Sequence, residues 1–336
     1  MAEDKNRNIY DMLEEEIMNS ELSLKEKNKR LSRLIRMRGK KVNIIFVGAT
    51  GSGKSSTINA LFNMEVAKVG VGVDPETADI KSYVLDNLTI WDTPGLGDGA
   101  QADERYNRMI TKKLSELDED GNPLIDLVLV VLDASSKDLG TSYDLINNVI
   151  IPCLGEDKEG RILIALNQAD VAMKGKHWNA DRNEPDEELL KFLQAKVDSV
   201  SKRIHEATGV KVRPVYYCAG YKEEGGVQCK PYNLSRLLYY IVRSVPAEKR
   251  LVFADKLNQD ASLWGHGEFL REDGENIQRS FWEIVCDGAE DGADTGADIG
   301  ETGLGIPGMI AGYVIGGVLG TVGGLFEATW GLVTGV

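Results

Sequence analysis

Short apolar runs recur through the middle of the chain at Val42–Val47, Ile80–Leu85, Leu88–Trp91, Leu127–Leu132, Ile162–Leu166 and Val212–Tyr217. Each has the length of a buried strand and is too short for a stable helix. Between them lie stretches of helical periodicity at Ser55–Phe62, Glu104–Leu117, Thr141–Cys153, Glu187–Ala207 and Leu234–Val245. This alternation predicts an α/β fold over residues 41–247, a mostly parallel sheet with helices on both faces. In residues 1–40, Ile9, Met12, Leu13 and Ile17 share one helical face, and Leu24, Leu31, Leu34 and Ile35 offer a second stripe. They predict an extension of two charged amphipathic helices.

Beyond Val245 the pattern weakens. Residues 248–301 read as a partly helical segment followed by an acidic linker, where Asp287, Glu290, Asp291, Asp294, Asp298 and Glu301 alternate with Gly and Ala. A calcium loop is the sharper reading of those carboxylates, but their spacing fits no EF-hand. In the last segment, 302–336, Thr302 to Phe326 carries no charge, and Gly308, Gly312, Gly316, Gly320 and Gly324 recur every fourth position. On a helix they form one groove that admits another backbone closely, the small-residue surface of membrane helices. A membrane-inserting or self-associating tail fits this pattern. So does a glycine-rich hairpin packed on the domain, broken near Pro307, and disorder is a third reading.

The chemistry concentrates at strand ends. Gly48-Ala-Thr-Gly-Ser-Gly-Lys-Ser55 follows the strand ending at Val47 and precedes a helix, the context in which this pattern binds phosphate. Backbone N–H groups of Gly51, Ser52, Gly53, Lys54, Ser55 and Ser56 would cradle the phosphates. The Lys54 ammonium would reach the β and γ oxygens, and Ser55 would supply a Mg²⁺ ligand. Leu88-Thr-Ile-Trp-Asp92-Thr-Pro-Gly95 delivers a second Mg²⁺ ligand, Asp92, and a backbone N–H at Gly95 able to sense the γ-phosphate. The glycine-rich stretch from Gly70 to Thr77 reads as a mobile loop whose Thr77 hydroxyl completes the Mg²⁺ shell; a turn-capping threonine is the plainer alternative. Asn167-Gln168-Ala169-Asp170 follows the strand Ile162–Leu166, and a carboxylate at Asp170 accepts two donors that guanine offers and adenine lacks. The backbone of Cys218-Ala219, after the last strand candidate, can meet the guanine oxygen. GTP and GDP are therefore the expected ligands, with Mg²⁺, and Lys54, Thr77 and Gly95 the residues nearest the reacting phosphate.

Charge refines the choice of partners. A net charge of -14 argues against broad attraction to nucleic acid. The exception is segment 25–41, where Lys25, Lys27, Lys29, Arg30, Arg33, Arg36 and Arg38 can meet anionic lipid, RNA or an acidic surface, or be a solvated helix face. The four cysteines are scattered without metal or dithiol spacing, and the start of the chain lacks an apolar leader, so a cytoplasmic protein, with or without membrane attachment, is expected.

These segments, in this order, resemble the translation-factor-related G proteins. The loop Gly48–Phe62 with Asp92-Thr-Pro-Gly-Leu-Gly97 looks most like the Era-like group, and within it the bacterial YfjP/YeeP type. Both motifs are also similar to immunity-related and AIG-type GTPases. The resemblance covers residues 41–247 and implies a P-loop G domain that hydrolyses GTP as a switch, acting with an activating or effector protein. Family members usually carry Lys where Gln168 stands and Ser where Cys218 stands, and many have Asn at the position of Gly51. Leu96 occupies the place of the glutamine that orients water in Ras-like proteins, which implies slow intrinsic hydrolysis. Two alternatives stay open: a membrane-acting protein whose G domain gates the tail, and a ribosome- or RNA-associated GTPase.

Overall fold

The computed structural model describes residues 8–64, 68–71, 80–97, 99–220, 230–254, 256–270, 272–274, 276–277 and 280–281. Thr77, Asp98, the acidic segment and the glycine-spaced tail lie outside the described residues. Helices α1 (Ile9–Asn19) and α2 (Leu24–Arg38) precede β1 (Val42–Val47), α3 (Lys54–Leu61), β2 (Lys68–Val71), β3 (Lys81–Leu85) and β4 (Leu88–Asp92). Then come α4 (Ala100–Leu114), β5 (Leu127–Asp133), α5 (Gly140–Leu145), α6 (Ile151–Cys153), β6 (Ile162–Asn167), β7 (Trp178–Asn179), β8 (Glu184–Pro185), α7 (Glu187–Thr208), β9 (Val215–Tyr216) and α8 (Leu234–Ser244).

Seven strands form one sheet in the order β2-β3-β4-β1-β5-β6-β9. The run β4-β1-β5-β6-β9 pairs in parallel, and β3 runs antiparallel to both β2 and β4. Successive side chains of a strand point to opposite faces. Accordingly, Ile44 and Phe46 join one apolar cluster with α1, α2, α3 and α8, while Ile45 and Val47 join a second with α4, α5 and α7. The sheet is thus a three-layer core with both faces covered, and its central strands read as continuous apolar runs for that reason.

Three expectations are corrected. Gly70 and Val71, read as the start of a mobile loop, belong to edge strand β2 and pair with Ser82 and Lys81. The last strand shrinks from Val212–Tyr217 to Val215–Tyr216, because Pro214 has no N–H to give a ladder. The stripe of α2 is also rotated: Leu34 and Met37 are buried and Leu31 half-buried, whereas Leu24 and Ile35 are 75% and 69% exposed. The helix is set by its cap, since the Ser23 hydroxyl accepts the Glu26 N–H and donates to the Glu26 carboxylate.

Both flanks of the α/β unit pack into it. Ile9, Leu13 and Ile17 of α1, and Leu251, Phe253, Leu257, Trp264, Ile277 and Phe281 from the segment after α8, are buried in the same cluster as Phe46.

Candidate functional site

The C-terminal ends of β1, β4 and β6 converge on one edge of the sheet, where parallel strands hand over to loops. The loop after β1 turns through Gly51 and Gly53 at φ 77° and 90°, a region that disfavours side chains. At Gly53 a Cβ would also overlap the Asn167 amide. The turn leaves the first N–H groups of α3 aimed into the loop's mouth without intrahelical acceptors.

Lys54 is buried and folds back over the loop, its Nζ donating to the carbonyls of Gly48 at 3.0 Å and Ala49 at 3.2 Å. Burial lowers its pKa, and the nearby Asp92 charge opposes that shift. The Ser55 hydroxyl donates to Asp92 Oδ2 at 2.9 Å. The other oxygen, Asp92 Oδ1, is buried with no hydrogen-bond partner among the described residues. Burial raises the pKa of Asp92, while the Ser55 hydrogen bond and the charges of Lys54 and Lys81 pull it down. An orphaned carboxylate oxygen beside a serine hydroxyl fits a hard, oxygen-seeking divalent cation such as Mg²⁺. Ser52 Oγ, in the phosphate loop, is another buried oxygen with no partner among the described residues.

The segment after Asp92 lies along the phosphate loop. Leu96 N–H donates to the Gly48 carbonyl at 3.2 Å, and Thr50 N–H donates to the Leu96 carbonyl at 3.0 Å. Gly95 packs so tightly on Thr50 that a Cβ there would overlap its side chain and Cα. The Leu96 side chain is 2% exposed and sits in the second apolar cluster, turned away from solvent.

On the base side, Asn167 works as a bracket. Its Nδ2 donates to the Ser52 carbonyl and its Oδ1 accepts the Ala219 N–H, both at 2.9 Å. The Cys218 thiol accepts the Gly220 N–H at 3.3 Å. Gln168 takes a left-handed conformation, φ 64°, and its side-chain amide donates to the Gly51 carbonyl at 2.6 Å. The half-buried Asp170 carboxylate accepts no hydrogen bond from the described residues and is thus available to a ligand. Lys54, Ser55, Asp92, Asn167, Asp170 and Ala219 are brought to one edge; where Thr77 stands relative to them is not described.

Several contributors carry no sequence signal. Thr57 Oγ1 donates to the Gly53 carbonyl and meets the buried Tyr217 hydroxyl, both at 2.7 Å, tying α3 to the residue that follows β9. Tyr106 of α4 joins the phosphate loop from the other face.

The family model described as "50S ribosome-binding GTPase" matches residues 43–168. The chain is 28% identical over 171 residues to "Uncharacterized protein YfjP" of Escherichia coli (strain K12), covering 50% of this chain and 55% of that protein. It is 30% identical over 129 residues to "Uncharacterized protein YkfA" of the same organism, covering 38% and 41%. The chain spans about half the length of these relatives. Among solved structures, Toc33 from Arabidopsis thaliana in complex with GDP and Mg²⁺ aligns at 17% identity with a TM-score of 0.41, over 68% of this chain and 94% of that one. The phosphate loop, the Asp92 segment and Asn167 all fall inside the matched stretch, and that stretch is a GTP-binding G domain of the P-loop GTPase type.

Proposed function

We propose that this chain is a slow, Mg²⁺-dependent GTPase switch of the Era-like kind. The observation that carries the reading is the Ser55–Asp92 pair with its orphaned carboxylate oxygen, set beside the buried Lys54 ammonium. Ser55 and Asp92 would hold Mg²⁺, which when bound offsets negative charge on the β- and γ-phosphates. Lys54 supplies a second positive charge to the same oxygens, and the N–H groups at the start of α3 orient them. Leu96 faces the core and has no group to position water, so the rate is low until a partner supplies one. Asp170 selects guanine.

Replacing Asp170→Asn exchanges an acceptor for a donor at the guanine edge. The variant should lose about 100-fold in GTP affinity and gain in xanthosine triphosphate affinity, measured by competition with a fluorescent nucleotide. An unchanged base preference would remove Asp170 from the site. Hydrolysis itself is read as phosphate release by the wild type with Mg²⁺, and its absence at any enzyme concentration would sink the enzymatic reading.

A second reading, ribosome association, is favoured by the exposed basic residues Lys25, Lys29 and Arg36 of α2 and by the wording of the matched family. Against it, Arg38 at the end of that helix is paired with Asp11 of α1. Salt-sensitive cosedimentation with ribosomes, lost on neutralising those three residues, would support it. The tail from Thr302 to Phe326 supports a third role, nucleotide-controlled membrane association or self-association, tested by liposome flotation of the full chain with GDP and with a GTP analogue.

A further inference from the structure

Tyr106 is 4% exposed, sits on α4 and places its hydroxyl between the two phosphate-handling segments. The Gly48 N–H donates to Tyr106 Oη at 3.4 Å, and Tyr106 Oη lies 3.0 Å from Thr93 Oγ1. The direction of that second bond follows from counting protons. Thr93 has one hydroxyl proton, and it goes to the Phe46 carbonyl at 2.8 Å. Tyr106 must therefore donate to Thr93. The result is one directed chain, Gly48 N–H to Tyr106 O–H to Thr93 O–H to the Phe46 carbonyl. Burial pushes the tyrosine pKa up to about 12, so the hydroxyl keeps the proton this chain requires.

The chain begins at Gly48, whose N–H lies in the peptide with Val47 and whose carbonyl, in the next peptide, meets Lys54. The Gly48 carbonyl accepts both the Lys54 ammonium and the Leu96 N–H, while its N–H is held by Tyr106. Gly48 has no room to shift its Cα toward β5, where even a Cβ would overlap the Val131 carbonyl. The first residue of α4, Ala100, lies five positions after Gly95, and the Gly97 N–H is bonded to Asp103 of that helix at 2.8 Å. Gly95 is therefore joined to α4 by a short connection, and Tyr106 of α4 is hydrogen-bonded to the phosphate loop.

We propose that Tyr106 is a positioning residue for the triphosphate: its hydroxyl holds the N–H of Gly48, whose carbonyl in turn holds Lys54, and so links the start of the phosphate loop to the segment bearing Asp92 and Gly95. The proposal rests on the reading of this edge as a GTP site. It makes a differential claim, because the Lys54 ammonium meets β and γ oxygens in GTP but has no γ oxygens to meet in GDP.

Tyr106→Phe keeps the ring and deletes the link, leaving the Gly48 N–H without its acceptor. Thr93→Val deletes the next hydroxyl in the chain. Stopped-flow release of fluorescent GDP and of a fluorescent non-hydrolysable GTP analogue, with Mg²⁺, is the test. Each variant should release the GTP analogue about tenfold faster than wild type and GDP less than threefold faster. Equal acceleration of both nucleotides, or a lowered melting temperature with both release rates unchanged, would overturn the proposal. The readout is release rather than turnover, so a wild type that binds but does not hydrolyse GTP would sink the enzymatic reading and leave this test in force.

Discussion

Two buried carboxylates stand at opposite ends of the parallel sheet, and each has a lysine close by. Asp92 ends β4 at the edge where the loops gather, and Asp126 immediately precedes β5 at the other edge. Burial raises the pKa of both. Their hydrogen bonds differ. Asp126 spends both oxygens on the protein, one on Lys249 Nζ at 2.6 Å and the other on the Asn43 N–H at 2.9 Å. Asp92 has one oxygen on Ser55 and one on no described residue, and its neighbour Lys54 donates to carbonyls instead. The saturated pair is a staple that holds the segment after α8 to the sheet. The unsaturated one keeps lone pairs and an ammonium in reserve for a ligand, which is why it is worth its desolvation cost.

The contrast is broken most severely at the lysines. Lys54→Ala removes the ammonium that meets the phosphates, and two charge-assisted contacts of about 1.5–3 kcal/mol each imply roughly a 1,000-fold loss of GTP affinity. Its melting temperature should hold within a few degrees, because the lost group was a buried charge whose own pKa is already depressed by burial. Calorimetric titration with GTP and Mg²⁺ decides it, and retained affinity would mean that Lys54 is structural.

Lys249→Ala should do the reverse. With Asp126 only 7% exposed, the variant strands a buried carboxylate at a cost of about 3 kcal/mol, near the low end for broken buried pairs because Lys249 itself is 19% exposed. Urea denaturation would show the loss, with GTP affinity unchanged. A fall in affinity instead would mean that the two ends of the sheet communicate.

The difference between the two carboxylates also explains what was legible in the sequence. Asp92 could be found because its chemistry depends on local order: a strand, then Asp-Thr-Pro-Gly, a fixed distance after a phosphate loop. The same holds for Lys54 and Ser55, and for the strands whose apolar runs are buried on both faces. Asp126 and Lys249 are 123 residues apart and neither lies in a motif, so only the fold makes them a pair. Tyr106 and Thr57 are hidden for the same reason. Edge strand β2 carries little signal because Gly70 interrupts its short run, and the buried stripe of α2 follows Leu31, Leu34 and Met37 at steps of three, which leaves the adjacent Ile35 outside it. The bond of the Gln168 amide to the Gly51 carbonyl is legible only once the two loops are known to touch.

A third buried carboxylate sharpens the comparison with the smallest effect. Asp273, in the segment after α8, is 3% exposed, and its side chain accepts no hydrogen bond from the described residues. Burial raises its pKa to about 6; Arg236 opposes the shift, and the charges of Glu272 and Glu268 add to it. The folded chain therefore binds this proton more tightly than the unfolded chain, whose carboxyl titrates near 3.8. The contribution of Asp273 to stability then falls as pH rises from about 4 through about 6 and levels off above, the opposite of a salt-bridged aspartate. Asp273→Asn removes the charge at nearly constant volume, so the variant should exceed wild type by about 1 kcal/mol at pH 7.5, with the advantage gone by pH 4. Urea midpoints of the two chains across that range measure the difference directly. If the variant is the less stable one at pH 7.5, the Arg236 charge outweighs burial, and Asp273 belongs with Asp126 as a staple rather than with Asp92 as a carboxylate held at a cost.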